Sequence, residues 1–94
     1  MSAPVDETAV PRFAPGTKFR FDSVRNAWVV LAPERLFVPD EQAAEILKLV
    51  DGERNLGAII DNLAARFADA PRELIAGDVA AMLRDLADKG AIRL

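Results

Sequence analysis

The sequence predicts an α+β fold: a three-stranded antiparallel sheet, then a three-helix bundle and a short C-terminal strand, arranged as a winged helix-turn-helix. Three observations carry this expectation. Lys18-Phe19-Arg20-Phe21-Asp22 alternates charged and apolar residues with the period of two expected of a half-buried strand. The stretch from Trp28 to Pro39 reads as two β-rich runs bent around Ala32-Pro33-Glu34-Arg35. Beyond Pro39 the apolar residues recur at three- and four-residue steps, which is helical spacing.

Taken in order, residues 1–11 mix small, acidic and proline residues without a period and are expected to be a disordered tail or linker, leaving 12–94 as the domain. Within the domain, Phe13 is bulky enough to pin the leading arm to the body, and Pro15-Gly16 is a turn dipeptide. The first strand follows, with Phe19 and Phe21 on one face. Ser23-Val24-Arg25-Asn26 supplies a turn, and residues 27–31 form the second strand. Proline pre-sets φ for the second position of a type I turn, so Pro33 fits the next bend and Glu34 follows it. The third strand, residues 34–38, ends at Pro39, which has no N–H for a ladder; such prolines lie at the ends or outer edges of sheets. The pattern leaves open whether Trp28, Val30, Leu36 and Val38 or Val29, Leu31 and Phe37 face the core.

Asp40 suits the N-cap of a first helix, Glu41 favours the positive end of its dipole, and Asp51-Gly52 closes it. Asn55 is expected to cap a second helix whose stripe is Leu56, Ile59, Ile60, Leu63, Ala64 and Phe67. Pro71 suits the first turn of a third helix, which carries Ile75, Val79, Met82, Leu83 and Leu86 and stops at Lys89-Gly90. Gly77 inside it costs about 1 kcal/mol relative to alanine, through either a close backbone approach or an exposed, tolerant site. Ile92-Arg93-Leu94 alternates again, as a short closing strand would.

A chain of 94 residues is one domain at most, able to bury about 60% of its unfolded surface. It has no cysteine, so it carries no disulfide and no thiolate metal site; this fits a reducing cytoplasmic setting. No apolar run approaches the ~18–20 residues that cross a bilayer, and no signal-peptide core follows Met1, so no membrane association is expected. With no histidine, cysteine or tyrosine, the usual general bases, thiol nucleophiles and phenolic acids are absent. Ser2, Thr8, Thr17 and Ser23 have no base nearby in sequence, and Asp51 and Glu53 read as caps and loop charges. No P-loop, Gly-x-Gly-x-x-Gly or calcium-loop pattern occurs. Neither enzyme activity nor a bound cofactor or metal is expected.

A helix-turn-helix raises DNA binding as the alternative, a winged-helix regulator. The net charge of −3 opposes it. So does the third helix, where Arg72, Arg84 and Lys89 stand against Glu73, Asp78, Asp85 and Asp88, with no asparagine or glutamine to read bases. A binding module remains. An uncovered edge strand accepts an extended peptide by β-augmentation, with the third helix as the opposite wall of a groove. At this point a guest peptide, the N-terminal arm and a second copy of the chain all stand as occupants of that edge.

Pro15-Gly16, Phe21-Asp22, Pro33-Glu34-Arg35, Ile46-Leu47, Asp51-Gly52, Asp78-Val79 and Leu86 with Gly90 occur in the order and spacing of one family. Over residues 12–94 the chain resembles the PqqD family of pyrroloquinoline quinone (PQQ) biosynthesis proteins. That resemblance implies a RiPP recognition element: a non-catalytic, cytoplasmic winged helix-turn-helix that binds the ribosomal precursor peptide PqqA and presents it to the radical SAM enzyme PqqE in a ternary complex. Iron–sulfur clusters and S-adenosylmethionine would then belong to the partner enzyme. It also implies a peptide site formed by Glu34, Arg35, Leu36, Phe37 and Val38 on the third strand and by Asp78, Val79, Met82, Leu83 and Leu86 on the third helix. Core packing competes for Val79, Leu83 and Leu86. Some family members are fused to another pathway protein, which would make the N-terminal tail a former linker.

Overall fold

A computed structural model describes residues 6–94. The elements are β1 (Arg12–Phe13), β2 (Lys18–Asp22), β3 (Ala27–Ala32), β4 (Arg35–Phe37), α1 (Glu41–Leu47), α2 (Leu56–Arg66), α3 (Arg72–Asp88) and β5 (Ile92–Arg93). The central sheet is antiparallel in the order β2-β3-β4, so the strand expected third is β4. β1 and β5 form a separate two-stranded antiparallel pair.

Turn chemistry sets the register. Asp22 Oδ1 accepts from the Val24 N–H at 2.9 Å, and Asn26 closes that turn at φ 55, a left-handed conformation asparagine tolerates. The bend at Pro33-Glu34 places Ala32 opposite Arg35, Leu31 opposite Leu36 and Val30 opposite Phe37. Opposed residues point to the same face of a sheet. Neither grouping offered by the sequence therefore holds intact. Phe19, Phe21, Trp28, Val30 and Phe37 share one face, and Val29, Leu31 and Leu36 share the other. Phe13 stacks on Phe19 at 5.9 Å between centroids, and Phe19 on Trp28 at 4.8 Å.

The helices start and stop largely where the caps predict. Asp40 accepts from the Ala43 N–H at 2.8 Å, and Asn55 from the Ala58 N–H at 2.8 Å. α1 is shorter than the apolar repeat suggests. It ends at Leu47, after which Leu49 and Val50 remain buried through tight turns donating to Ile46 and Leu47 carbonyls. Gly52 adopts φ 77. α3 ends in a Schellman motif: the Ala91 N–H donates to the Leu86 carbonyl at 2.9 Å and Gly90, at φ 81, to that of Ala87 at 3.0 Å. Gly77 is exposed, and a Cβ there would meet nothing within 4 Å, so it is a tolerant site rather than a close approach.

One core joins the layers: Val30 from the sheet, Ile46 and Leu47 from α1, Ile59, Ile60 and Leu63 from α2, Val79, Leu83 and Leu86 from α3, and Ile92 from β5. The N-terminal arm joins it too. Residues 1–5 of the expected tail lie outside the described residues. From Glu7 on, however, the segment is tied down. The Glu7 and Ala9 carbonyls accept from the Gly57 and Leu56 N–H groups at 2.9 and 2.8 Å, donors that a helix start leaves without partners, and Pro11 is buried. Arg72 holds Glu7 from α3 in a two-pronged contact at 2.7 and 3.0 Å while its Nε reaches Asp61 of α2 at 2.8 Å. The Glu7 carboxyl is accordingly held below the usual glutamate range by the guanidinium that donates to it. Among the described residues no helix is long and apolar enough to cross a membrane.

Candidate functional site

β4 is a rim of the sheet, short because Pro39 closes it. In an antiparallel ladder opposed residues alternate between hydrogen-bonded and non-bonded pairs. The pair closing the Pro33-Glu34 turn, Ala32 and Arg35, is bonded, so Val30 and Phe37 are bonded again and Leu36 lies between them. The N–H and C=O of Leu36 consequently point away from β3. Outside the ladder, no backbone hydrogen bond among the described residues involves residues 34–38. Neither the arm nor any other described segment covers this edge. Leu36 and Val38 are exposed at 40% and 56%, while Phe37 turns inward onto the core.

α3 runs beside it. Lys89 Nζ sits 5.9 Å from the Phe37 ring, setting the C-terminal end of the helix against β4. Of the five helix residues named from the sequence, Val79, Leu83 and Leu86 are core, at 1%, 0% and 8% exposure, and offer almost no surface to a guest. Asp78 is exposed and Met82 half-buried. Steps of four, three and four residues from Asp78 lead through Met82 to Asp85 and Lys89, one stripe along the helix. Asp85 and Lys89, bridged at 2.8 Å, share that stripe and are candidates the sequence reading did not name. The signal that finds them is that spacing, one step round from the core stripe.

A groove of about 1150 Å³ lies at the far end of this surface. It begins at Pro39 and Asp40, where the chain leaves β4, includes Asp78 and Val79, and extends between α1 and the start of α3 to Phe21 and Trp28. None of residues 34–38 lines it. Its lining is largely apolar, and Phe21, Phe67 and Leu74 within it are exposed at 47%, 48% and 57%. Its cations are occupied. Lys48 and Arg66 both bridge Glu45, Lys48 also lies over the Trp28 ring at 5.1 Å, and Arg66 lies over Phe67 at 5.5 Å. Glu45 is held below the usual glutamate range by those two donors, Lys48 first. Asp78 and Glu41, also lining the groove, have no ion-pair partner among the described residues.

This surface offers main-chain hydrogen bonds, a flanking helix and an apolar groove. No group of three or more histidine, cysteine, aspartate or glutamate side chains is placed to hold a metal ion among the described residues.

Comparison with known proteins places this geometry. The family model of coenzyme PQQ synthesis protein D (PqqD) matches residues 27–92. A PqqA binding protein of Bradyrhizobium diazoefficiens is 52% identical over 86 residues, which cover 92% of this chain and 82% of that protein. The bifunctional coenzyme PQQ synthesis protein C/D of Methylorubrum extorquens is 45% identical over 80 residues, covering 85% of this chain and 21% of that longer protein. Among solved structures, the solution NMR structure of the PqqD truncation of Methylobacterium extorquens PqqCD, described as a functional and stand-alone RiPP recognition element, superposes with a TM-score of 0.75 at 40% identity. That match covers 96% of this chain and 100% of the other. A chain with this sheet, these helices and this uncovered rim belongs to the PqqD family.

Proposed function

We propose that this chain is a non-catalytic, cytoplasmic carrier of the PQQ precursor peptide. It captures a PqqA-type peptide by strand addition to β4 and presents it to the radical SAM enzyme PqqE in a ternary complex. The observation that carries this reading is the unpaired outer side of β4 with the C-terminal end of α3 against it. The names borne by its relatives, PqqA binding protein and RiPP recognition element, support it. In the winged helix-turn-helix description, α2 and α3 are the helical pair and the β2-β3-β4 sheet is the wing.

The energetics set what the edge alone supplies. Leu36 and Val38, alternating outward, offer about four main-chain hydrogen bonds at about 1 kcal/mol net each. Micromolar capture needs about 8 kcal/mol, beyond the cost of ordering the peptide. Side-chain contacts must supply at least half, so specificity lies in the surface flanking β4. DNA binding fits the charges poorly. Arg72 is committed to Glu7 and Asp61 and Lys89 to Asp85, which leaves α3 a single uncommitted cation, Arg84, among the described residues.

Titration with the synthetic precursor peptide, followed by backbone amide shifts, tests the proposal. Shifts concentrated in residues 35–38 and along Asp78, Met82, Asp85 and Lys89 are expected. Uniform or absent shifts, together with duplex DNA binding that weakens steeply with salt, would favour the regulator instead.

A further inference from the structure

The edge of β4 explains how a peptide is held but not which peptide. We propose that recognition is bipartite: beyond the segment paired with β4, the same peptide continues into the groove between α1 and α3, where an apolar side chain packs on Leu74 and Phe67 and a lysine or arginine meets Asp78 and Glu41. This rests on the strand-addition reading and adds the side-chain chemistry that the guest must carry.

Two independent features of the groove point to that occupant. The first is apolar exposure. Phe67 and Leu74, close to half exposed or more, line one groove together with Phe21, whereas isolated exposed apolar residues need no explanation. The second is the imbalance of charge. Four carboxylates, Asp40, Glu41, Glu45 and Asp78, line the groove against two cations. Lys48 and Arg66 spend their charge on Glu45 and rest on aromatic rings, and the Asp40 carboxylate caps α1, so the negative field falls at Glu41 and Asp78. A cationic, apolar segment is the complement of that surface.

Position makes it the same peptide rather than a second protein. The groove is lined by Pro39 and Asp40, which follow directly after β4, and by Asp78 of α3, the helix whose C-terminal end meets the strand. A guest laid along β4 and continuing past Phe37 reaches the residues that line the groove. The main-chain bonds then fix the conformation of the guest and the groove reads its side chains, which is the division of roles in strand addition.

The test uses the whole chain and the synthetic precursor peptide, with affinity read by calorimetry. Leu74→Asn, at a site 57% exposed, should leave the fold intact and weaken binding about tenfold, the effect of losing roughly half a leucine's burial. Asp78→Asn should weaken it about threefold at low salt, with the difference vanishing at high salt. Replacing the lysines and arginines of the peptide one at a time by glutamine should give at least that loss at one position, and a smaller loss in the Asp78→Asn background, where only Glu41 remains to meet the cation. A peptide shortened to the strand-pairing segment should bind the parent and both variants alike. Full affinity in both variants, with Leu36→Pro still abolishing capture, would overturn the groove assignment and leave strand addition standing. Full affinity in Leu36→Pro would remove strand addition and bipartite recognition together.

Discussion

Proline substitution at two neighbouring positions of β4 separates the fold from its function. In the register found here Phe37 is bonded to Val30 and its ring packs on the core, whereas the main-chain groups of Leu36 point outward. Phe37→Pro removes a ladder hydrogen bond worth about 1 kcal/mol and a half-buried ring worth about 2 kcal/mol, or about 3 kcal/mol before any strain. Against a typical total of about 5–15 kcal/mol, that is a severe loss. Leu36→Pro removes no bond to β3, and an edge strand accepts proline where its N–H faces solvent, so its cost should stay near 1 kcal/mol. Its effect on a guest is larger. The outward donor is gone, the carbonyl it would have met is left unpaired at about 1–3 kcal/mol, and the ring obstructs the incoming strand. Affinity for the precursor peptide should fall at least about 10- to 100-fold. Urea denaturation of both variants, with calorimetric titration of the folded one, reads these quantities. A folded Leu36→Pro protein binding within threefold of the parent would refute the reasoning, as would a Phe37→Pro protein as stable as Leu36→Pro.

Three further outcomes follow from the same structure. Leu83→Ala, at 0% exposure in the core, should cost about 2–5 kcal/mol in urea denaturation yet leave peptide affinity unchanged at temperatures where the variant is folded. Gly77→Ala should stabilise the chain by about 0.5–1 kcal/mol, because the added methyl meets nothing within 4 Å and the helical backbone gains propensity. Glu7 and Glu45 have native values lowered by the cations that donate to them, so the stability they contribute is present above the usual glutamate range and is lost as pH falls through it toward the lowered values. Urea midpoints should drop over that window, and Arg72→Ala should flatten the part due to Glu7 while making residues 7–11 more sensitive to protease.

Local chemistry was legible in the sequence, and parity was not. The bend at Pro33-Glu34, the caps Asp40 and Asn55 and the glycine after α3 each carry a signal within a few residues, and each stands in the structure. Which face Phe37 takes depends on how many residues the turn inserts between two strands that are apolar on both sides. A one-residue change would reverse every side chain of β4. The arm escaped for a different reason. The carbonyls of Glu7 and Ala9 serve the start of α2, nearly fifty residues away, and no periodicity records such a contact. In the candidate site the edge strand was readable from its closing proline. The helix wall was only half so, because one apolar stripe was used to find both the core and the groove. Val79, Leu83 and Leu86 belong to the core, whereas Asp78, Met82, Asp85 and Lys89 lie one step round the helix, and only Asp78 of these four lines the groove.

Hydrogen exchange at single amides probes the rim most directly. In the free protein the Leu36 amide, aimed at solvent, should exchange fast while its neighbours Arg35 and Phe37, bonded to β3, exchange slowly. Adding the precursor peptide should slow Leu36 markedly and change Arg35 and Phe37 little. A Leu36 amide already protected in the free protein, or one still fast with the peptide bound, would contradict strand addition at β4.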